Sequence, residues 1–183
     1  MIIRRMTTED YAPLCELLSD PRVMKYIEPP YSMEKTEQFL SRAGLSDPPL
    51  VYAVDEDDSF IGYVIYHDYD KHSVEIGWVL YPNYWGKGYA CKLTEMMIEK
   101  AFSSDKEVVI ECVPEQTATK HLAIKFGFDC VGKNGDLEVF RLMKQLPFYR
   151  AVIRCLLRGL SQKKARESVL FSTMCSAVAE CMV

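Results

Sequence analysis

Glycine and proline are scarce, nine of each in 183 residues, which excludes a collagen-like or low-complexity chain. Long apolar runs are missing too. No stretch reaches the roughly 18 residues a spanning helix needs, so membrane contact is not expected. The opening Met1-Ile2-Ile3-Arg4-Arg5 has charge without an apolar run behind it, so no secretory signal is read there. Seven cysteines are scattered through the chain without a C-x-x-C pair or Cys/His zinc spacing. No metal site is expected, and the thiols read as free groups in a reducing cytoplasm. A basic excess is also lacking. Lys plus Arg number 22 against 26 Asp plus Glu, a net charge of −4, which disfavours nucleic acid as a partner.

What is present describes a folded domain. Hydrophobic residues make up 49% and charged residues 26%, enough to bury a core at this length. The charge is unevenly spread. Residues 1–146 hold 16 basic and 24 acidic side chains, whereas residues 147–183 hold 6 and 2. An acidic body of −8 is thus followed by a basic tail of +4, an asymmetry that can mark an interaction segment.

The pattern of apolar residues predicts the order β-α-α-α-β-β-β-α-β-α-β-β. Ile2 to Met6 reads as a strand, and Thr7-Thr8-Glu9-Asp10 as a capping sequence for a helix through Leu18. Short helices are expected after Ser19-Asp20-Pro21 and from Ser32. Leu50 to Asp55, Phe60 to Tyr66 and Val74 to Tyr81 read as an antiparallel meander. A helix from Gly88 to Phe102 puts Ala90, Leu93, Met97 and Ala101 on one face. A buried strand Glu107 to Val113, a helix Thr117 to Phe126 stopped at Gly127, and strands Phe128 to Val131 and Leu137 to Met143 complete the body. The fold class is α/β (α+β), a mixed sheet flanked by helices.

The segment from Glu75 to Ala90 is the most informative. It is a strand, a glycine-bearing turn and a helix start. Backbone N–H groups converge at such a turn, and the helix dipole adds positive potential, so a pyrophosphate fits there. The segment is neither a P-loop nor G-x-G-x-x-G. By spacing alone, an ordinary strand-to-helix turn reads the same way.

Trp85-Gly86-Lys87-Gly88-Tyr89-Ala90 resembles the acetyl-CoA turn of the GNAT acetyltransferases, Gln/Arg-x-x-Gly-x-Gly/Ala, with Trp85 at the Gln/Arg position. Tyr84 through Ala90 is similar to the ribosomal-protein N-terminal (RimJ/RimL-like) branch. Gln116-Thr117-Ala118-Thr119, then Lys125-Phe126-Gly127-Phe128, resembles that branch's Asn-x-x-Ser and Glu-Lys-Leu-Gly-Phe helix. The opening, with Arg4, Asp10-Tyr11 and Ser19 to Val23, is similar as well, so the likeness covers roughly 1–145.

The resemblance implies a GNAT fold, mostly antiparallel, whose cofactor strand splays from its neighbour. Trp78, Val79 and Leu80 would pair with the pantetheine arm of acetyl-CoA like an added strand. Amides of Gly86, Lys87, Gly88, Tyr89 and Ala90, beside Trp85, would hold the pyrophosphate, and Gln116 would touch the arm. The implied reaction is direct attack of a primary amine on the thioester, which needs a base. Glu111 is the first candidate, because it interrupts an apolar strand run five residues before Gln116. Glu75, just before the cofactor strand, is the second. Each reads equally as a solvated or ion-paired strand residue. The tyrosine acid of many members is replaced by Ala123. Thr119 stands where the branch has Ser and would protonate the thiolate, or would simply bond its own backbone. Cys91 and Cys112 read as inert thiols rather than nucleophiles. His67 and His72 bracket a polar turn and read as exposed.

The acceptor side is expected from Met24 to Ser46, and the acidic body suits a cationic amine: a protein N-terminus, a polyamine or another small amine. Residues 147–183 lie beyond the resemblance and read as a C-terminal helical extension. Arg150, Arg154 and Arg158 recur at i+4 beside an apolar stripe of Ile153, Leu156, Leu157 and Leu160. The extension would pack on the body or on a second copy as a homodimer, or, as a sharper reading, lie on a membrane surface or an acidic partner. A second reading for the whole chain is a non-catalytic acyl-CoA-binding or interaction module.

Overall fold

The computed structural model describes residues 1–144, and the expected helices of 147–183 lie outside the described residues. The predicted element order is reproduced. Strand β1 (Ile2–Arg4) leads to helices α1 (Tyr11–Ser19), α2 (Pro21–Met24) and α3 (Met33–Phe39). Strands β2 (Val51–Glu56), β3 (Ser59–Asp68) and β4 (Ser73–Leu80) form the meander. Helix α4 (Tyr89–Ser103), strand β5 (Glu107–Cys112), helix α5 (Thr117–Lys125) and the hairpin β6 (Asp129–Asn134) and β7 (Leu137–Leu142) follow.

Local chemistry sets the helix starts. Asp20 accepts from the Arg22 amide at 2.8 Å with Pro21 in the first turn, and Ser32 accepts from the Lys35 amide at 3.2 Å. These side chains satisfy amides the helix leaves open. Several boundaries differ from expectation: β1 stops at Arg4 rather than Met6, and β3 runs through Asp68 rather than Tyr66. Helix α3 runs on into a wider π-helical turn, Leu40–Gly44. Strand β6 extends to Asn134, not Val131, because Asn134 and Leu137 close a two-residue hairpin with Gly135 at φ 59°.

The strands form one sheet in the order β1-β2-β3-β4-β5-β7-β6. Among the described pairs only β4–β5 is parallel. Alternate residues face opposite sides, and each side has its own core. Leu93, Met97 and Ala101 of α4 pack with Ile76, Val108, Ile110 and Phe140 on one side. Leu14, Leu17 and Leu18 of α1 pack with Ala53, Tyr63 and Val79 on the other. Each fully buried leucine contributes about 1.5–3 kcal/mol. Arg4 fastens the first strand to this frame. Its guanidinium donates to Asp10 at 2.7 and 2.8 Å and to Asp55 at 2.5 and 3.1 Å. Burial alone would raise the Asp10 carboxyl, but Arg4 and the Thr7 amide hold it below its ordinary value.

The sheet opens at one place. β4 and β5 pair only at Ser73, Val74 and Glu75 against Glu107, Val108 and Val109. From Ile76 onward the β5-facing edge of β4 has no strand partner, while its other edge stays paired with β3 through Leu80. Gly62 makes that second pairing possible. Its φ is 150°, and an added Cβ would lie 2.1 Å from the Val79 carbonyl oxygen.

Candidate active site

The opening between β4 and β5 is a cleft with two ends. The larger, about 660 Å³, lies along Trp78, Val79 and Leu80 and ends at Gly86, Gly88 and Ala90. The smaller, about 250 Å³, reaches inward past Ile76 and Gly77 to Glu75 and Glu111. Tyr26, Ile27, Trp78, Val79, Gln116 and Thr119 line both. The chain thus brings together the strand, the turn, the Gln116 helix and both expected carboxylates.

The larger end is made by backbone. After β4 the chain passes through a 3-10 turn, Pro82–Tyr84, and enters α4. Gly86 and Gly88 sit at φ 70° and 86°, left-handed conformations that other residues enter at a cost. An added Cβ at either would meet nothing within 4 Å, so conformation rather than space demands glycine. Gly88 is the residue before the helix and its carbonyl already accepts from the Lys92 amide at 3.1 Å. The first amides of α4 therefore point at the cleft with the positive end of the helix dipole. Arg22 and Lys25 line this end. Lys87 is exposed and is not among the lining residues. Trp85 serves the turn in another way: its indole N–H donates to the Leu80 carbonyl at 2.8 Å, tying the turn to the end of β4.

The smaller end is made by side chains from distant strands. Glu111 accepts from the Tyr69 hydroxyl at 2.6 Å and from the Asn134 amide at 3.1 Å. That bond pushes the Tyr69 hydroxyl up from its ordinary value. Glu75 lies opposite His67 in the β3–β4 register, with Oε2 at 3.5 Å from Nε2. Burial pushes the Glu75 carboxyl up, His67 opposes that, and the neighbouring Glu111 adds to it. Thr119 is buried on α5. Its hydroxyl makes no bond to its own helix, unlike Thr94, which donates to the Ala90 carbonyl at 2.7 Å. Gln116 precedes α5 with its side chain on both ends of the cleft.

Cys112 is buried, and that burial raises its thiol, as an inert core cysteine requires. Cys91 lines the larger end, with the Lys125 ammonium 3.3 Å from its sulfur. Among the described residues no three His, Cys, Asp or Glu side chains are grouped to hold a metal, and no helix is long and apolar enough to cross a membrane.

With this geometry in hand, comparison with known proteins is decisive. The acetyltransferase (GNAT) domain model matches residues 1–129. The chain belongs to the GNAT family. An uncharacterized N-acetyltransferase of Bacillus subtilis (strain 168), YnaD, is 30% identical over 132 residues, covering 69% of this chain and 78% of that protein. A GNAT-family acetyltransferase structure from Bacillus anthracis aligns with a TM-score of 0.68 at 24% identity, over 77% of this chain and 93% of the other. The spermidine N-acetyltransferase of Vibrio cholerae, solved with CoA and spermine, aligns at 0.61 and 22% identity, over 76% and 92%. This GNAT chain is therefore an acetyltransferase with the expected fold.

Several site residues escaped sequence reading. Tyr69 and Asn134 reach Glu111 across 42 and 23 positions, and no local pattern announces such contacts. Asn134 also lies past the matched segment, in the closing hairpin. His67, read as exposed, is half-buried against Glu75 because β3 runs on through Asp68. Tyr26 and Ile27 were expected only as part of the broad Met24–Ser46 region.

Proposed function

We propose that this GNAT enzyme transfers acetyl from acetyl-CoA to a primary amine by direct attack within the β4–β5 cleft. One observation carries the reading. A helix N-terminus behind a glycine turn stands at one end of the cleft, a pair of carboxylates at the other, and an unpaired strand edge runs between them.

Each part has a chemical task. The open amides from Gly86 to Ala90 suit the pyrophosphate, with Arg22 and Lys25 adding charge. The free edge at Trp78, Val79 and Leu80 can pair with the amides of the pantetheine arm. Amides along that edge would polarise the thioester carbonyl as negative charge develops on its oxygen. Gln116 and Thr119, on the facing wall, lie beside the arm's path. The Thr119 hydroxyl, uncommitted to its helix, would protonate the departing thiolate.

Glu75 is assigned as the base. An ammonium must lose a proton before it can attack. A carboxyl pushed up by burial holds that proton better than a solvated one. Glu111, engaged by two donors, serves as a fixed negative charge that attracts the ammonium. The acceptor is a cationic amine, a protein N-terminus, a polyamine or a smaller amine. The acidic body supports this, and the glycine-turn motif supports a RimJ/RimL-like branch. Residues 1–146 form the catalytic unit in this reading, and 147–183 an added segment.

Two committed carboxylates beside the thioester position favour catalysis over an acyl-CoA-binding module. Calorimetric titration with acetyl-CoA, followed by thiol release with a panel of peptides, polyamines and small amines, tests this. Binding with turnover of at least one amine is expected. Binding with no turnover across the panel supports the module, and no binding rejects both.

A further inference from the structure

The reaction produces a proton that must leave. A primary ammonium and acetyl-CoA become an amide, free CoA thiol and one H⁺. The nitrogen–carbon bond forms and the carbon–sulfur bond breaks. Of the ammonium's three protons, one stays on nitrogen, one goes to the thiolate and one leaves. If Glu75 takes the third, it must be emptied before the next cycle. Its side chain is 22% exposed and lines the inner end of the cleft, where bound substrate would stand between it and bulk water.

His67 occupies the position that solves this. It pairs directly with Glu75 across β3 and β4. Nδ1 lies 3.0 Å from the Asp68 carbonyl oxygen, an acceptor that demands a proton on that nitrogen. In its neutral form the ring would therefore turn a bare Nε2 toward Glu75 Oε2, 3.5 Å away. The ring is 28% exposed and is not among the residues that line the cleft. Other polar and charged groups nearby are already engaged. Tyr69 and Asn134 serve Glu111, Arg141 is held by Glu107 at 2.7 Å and Asp70 at 2.9 Å, and Lys106 sits 3.3 Å from Asp68.

We propose that His67 is a proton relay, taking the acceptor's proton from Glu75 through Nε2 and releasing it to solvent. This rests on Glu75 being the base. The contact tightens by a few tenths of an ångström when Glu75 is protonated and has a proton to donate. The imidazolium then loses the proton to bulk base, and the pair returns to carboxylate and neutral ring.

Three variants separate the possibilities. With spermine, butylamine and a free-N-terminus peptide as probes, His67→Ala should lower kcat about tenfold while leaving KM for acetyl-CoA within about twofold. Imidazole added to the buffer should restore much of the loss. His67→Gln, which keeps a polar side chain, should stay slow without imidazole. A fast His67→Gln, or a His67→Ala loss that imidazole does not lift, marks a structural role and overturns the relay. Glu75→Gln distinguishes the two readings. If it retains full activity, the base assignment fails and the relay with it. If it abolishes activity while His67→Ala turns over normally, only the relay fails. Nitrogen-15 NMR of the imidazole gives a readout free of any acceptor. The Nδ1–H tautomer is expected, with a titration that moves in Glu75→Gln. An Nε2–H tautomer, or a titration indifferent to Glu75, overturns the proposal.

Discussion

The two ends of the cleft are built by different means. The CoA end is a local object: a strand edge, two glycines and a helix start within 13 consecutive residues, Trp78 to Ala90. The carboxylate end is assembled from Glu75 on β4, Glu111 on β5, Tyr69 after β3 and Asn134 on β6. Backbone makes the first and side chains make the second. A backbone site tolerates most substitutions but depends on conformation, whereas a side-chain site can be emptied by changing one atom type.

The strongest way to break the symmetry between them is Glu75→Gln. It keeps the shape and removes the base, so kcat should fall about 10²–10⁴-fold, with acetyl-CoA affinity unchanged by calorimetry. The same variant should hold or raise Tm at neutral pH. A carboxyl whose folded pKa is raised binds its proton more tightly in the folded state, so its ionised form costs stability above the unfolded pKa. Loss of activity with gain of stability would mark Glu75 as functional rather than structural.

The CoA end should answer to conformation. Gly88→Ala puts a Cβ on a residue at φ 86°, a cost of about 1–2 kcal/mol. It adds no clash, since nothing lies within 4 Å. If that cost falls on the bound conformation, acetyl-CoA Kd should rise about tenfold, with kcat at saturation retained. An equal loss from a mutation of Lys87 would instead indicate that charge, not backbone, makes this end.

These contrasts explain what the sequence revealed. Element order, the meander, the α4 stripe and the glycine turn all follow from spacing within a few residues, and all appear in the fold. The splay appeared only through family resemblance, because pairing lost after Glu75–Val109 has no local signature. The roles of Tyr69, Asn134 and His67 depend on register between strands, and on a β3 that ends two residues beyond its apolar run. Trp85 was legible as a departure from the usual motif, but its tie to Leu80 was not.

Register also yields a prediction about pH. Burial raises Glu75, and the Glu111 charge adds to that. The acid limb of kcat/KM reports protonation of the base in the free enzyme. Activity should climb as pH rises through the Glu75 pKa, above the ordinary carboxylate value. Removing the Glu111 charge as Glu111→Gln should move that limb to lower pH. An acid limb that does not move would show that Glu75 is not the titrating group.

The smallest effect should come from Trp85→Phe, which bears on whether the CoA end is held by its own backbone alone. The substitution removes one N–H donor and leaves most of the ring. The bond it loses runs from indole to the Leu80 carbonyl at 2.8 Å and is partly buried, so a net cost of about 1 kcal/mol is expected. If the turn is a rigid extension of β4, that cost should appear as a small drop in Tm and leave acetyl-CoA binding alone. If the tether instead positions Gly86 and Gly88 for the pyrophosphate, the cost should appear as a several-fold weaker Kd with Tm unchanged. The second outcome would mean that a side chain reading as a departure from the family motif supplies preorganisation otherwise credited to the backbone alone.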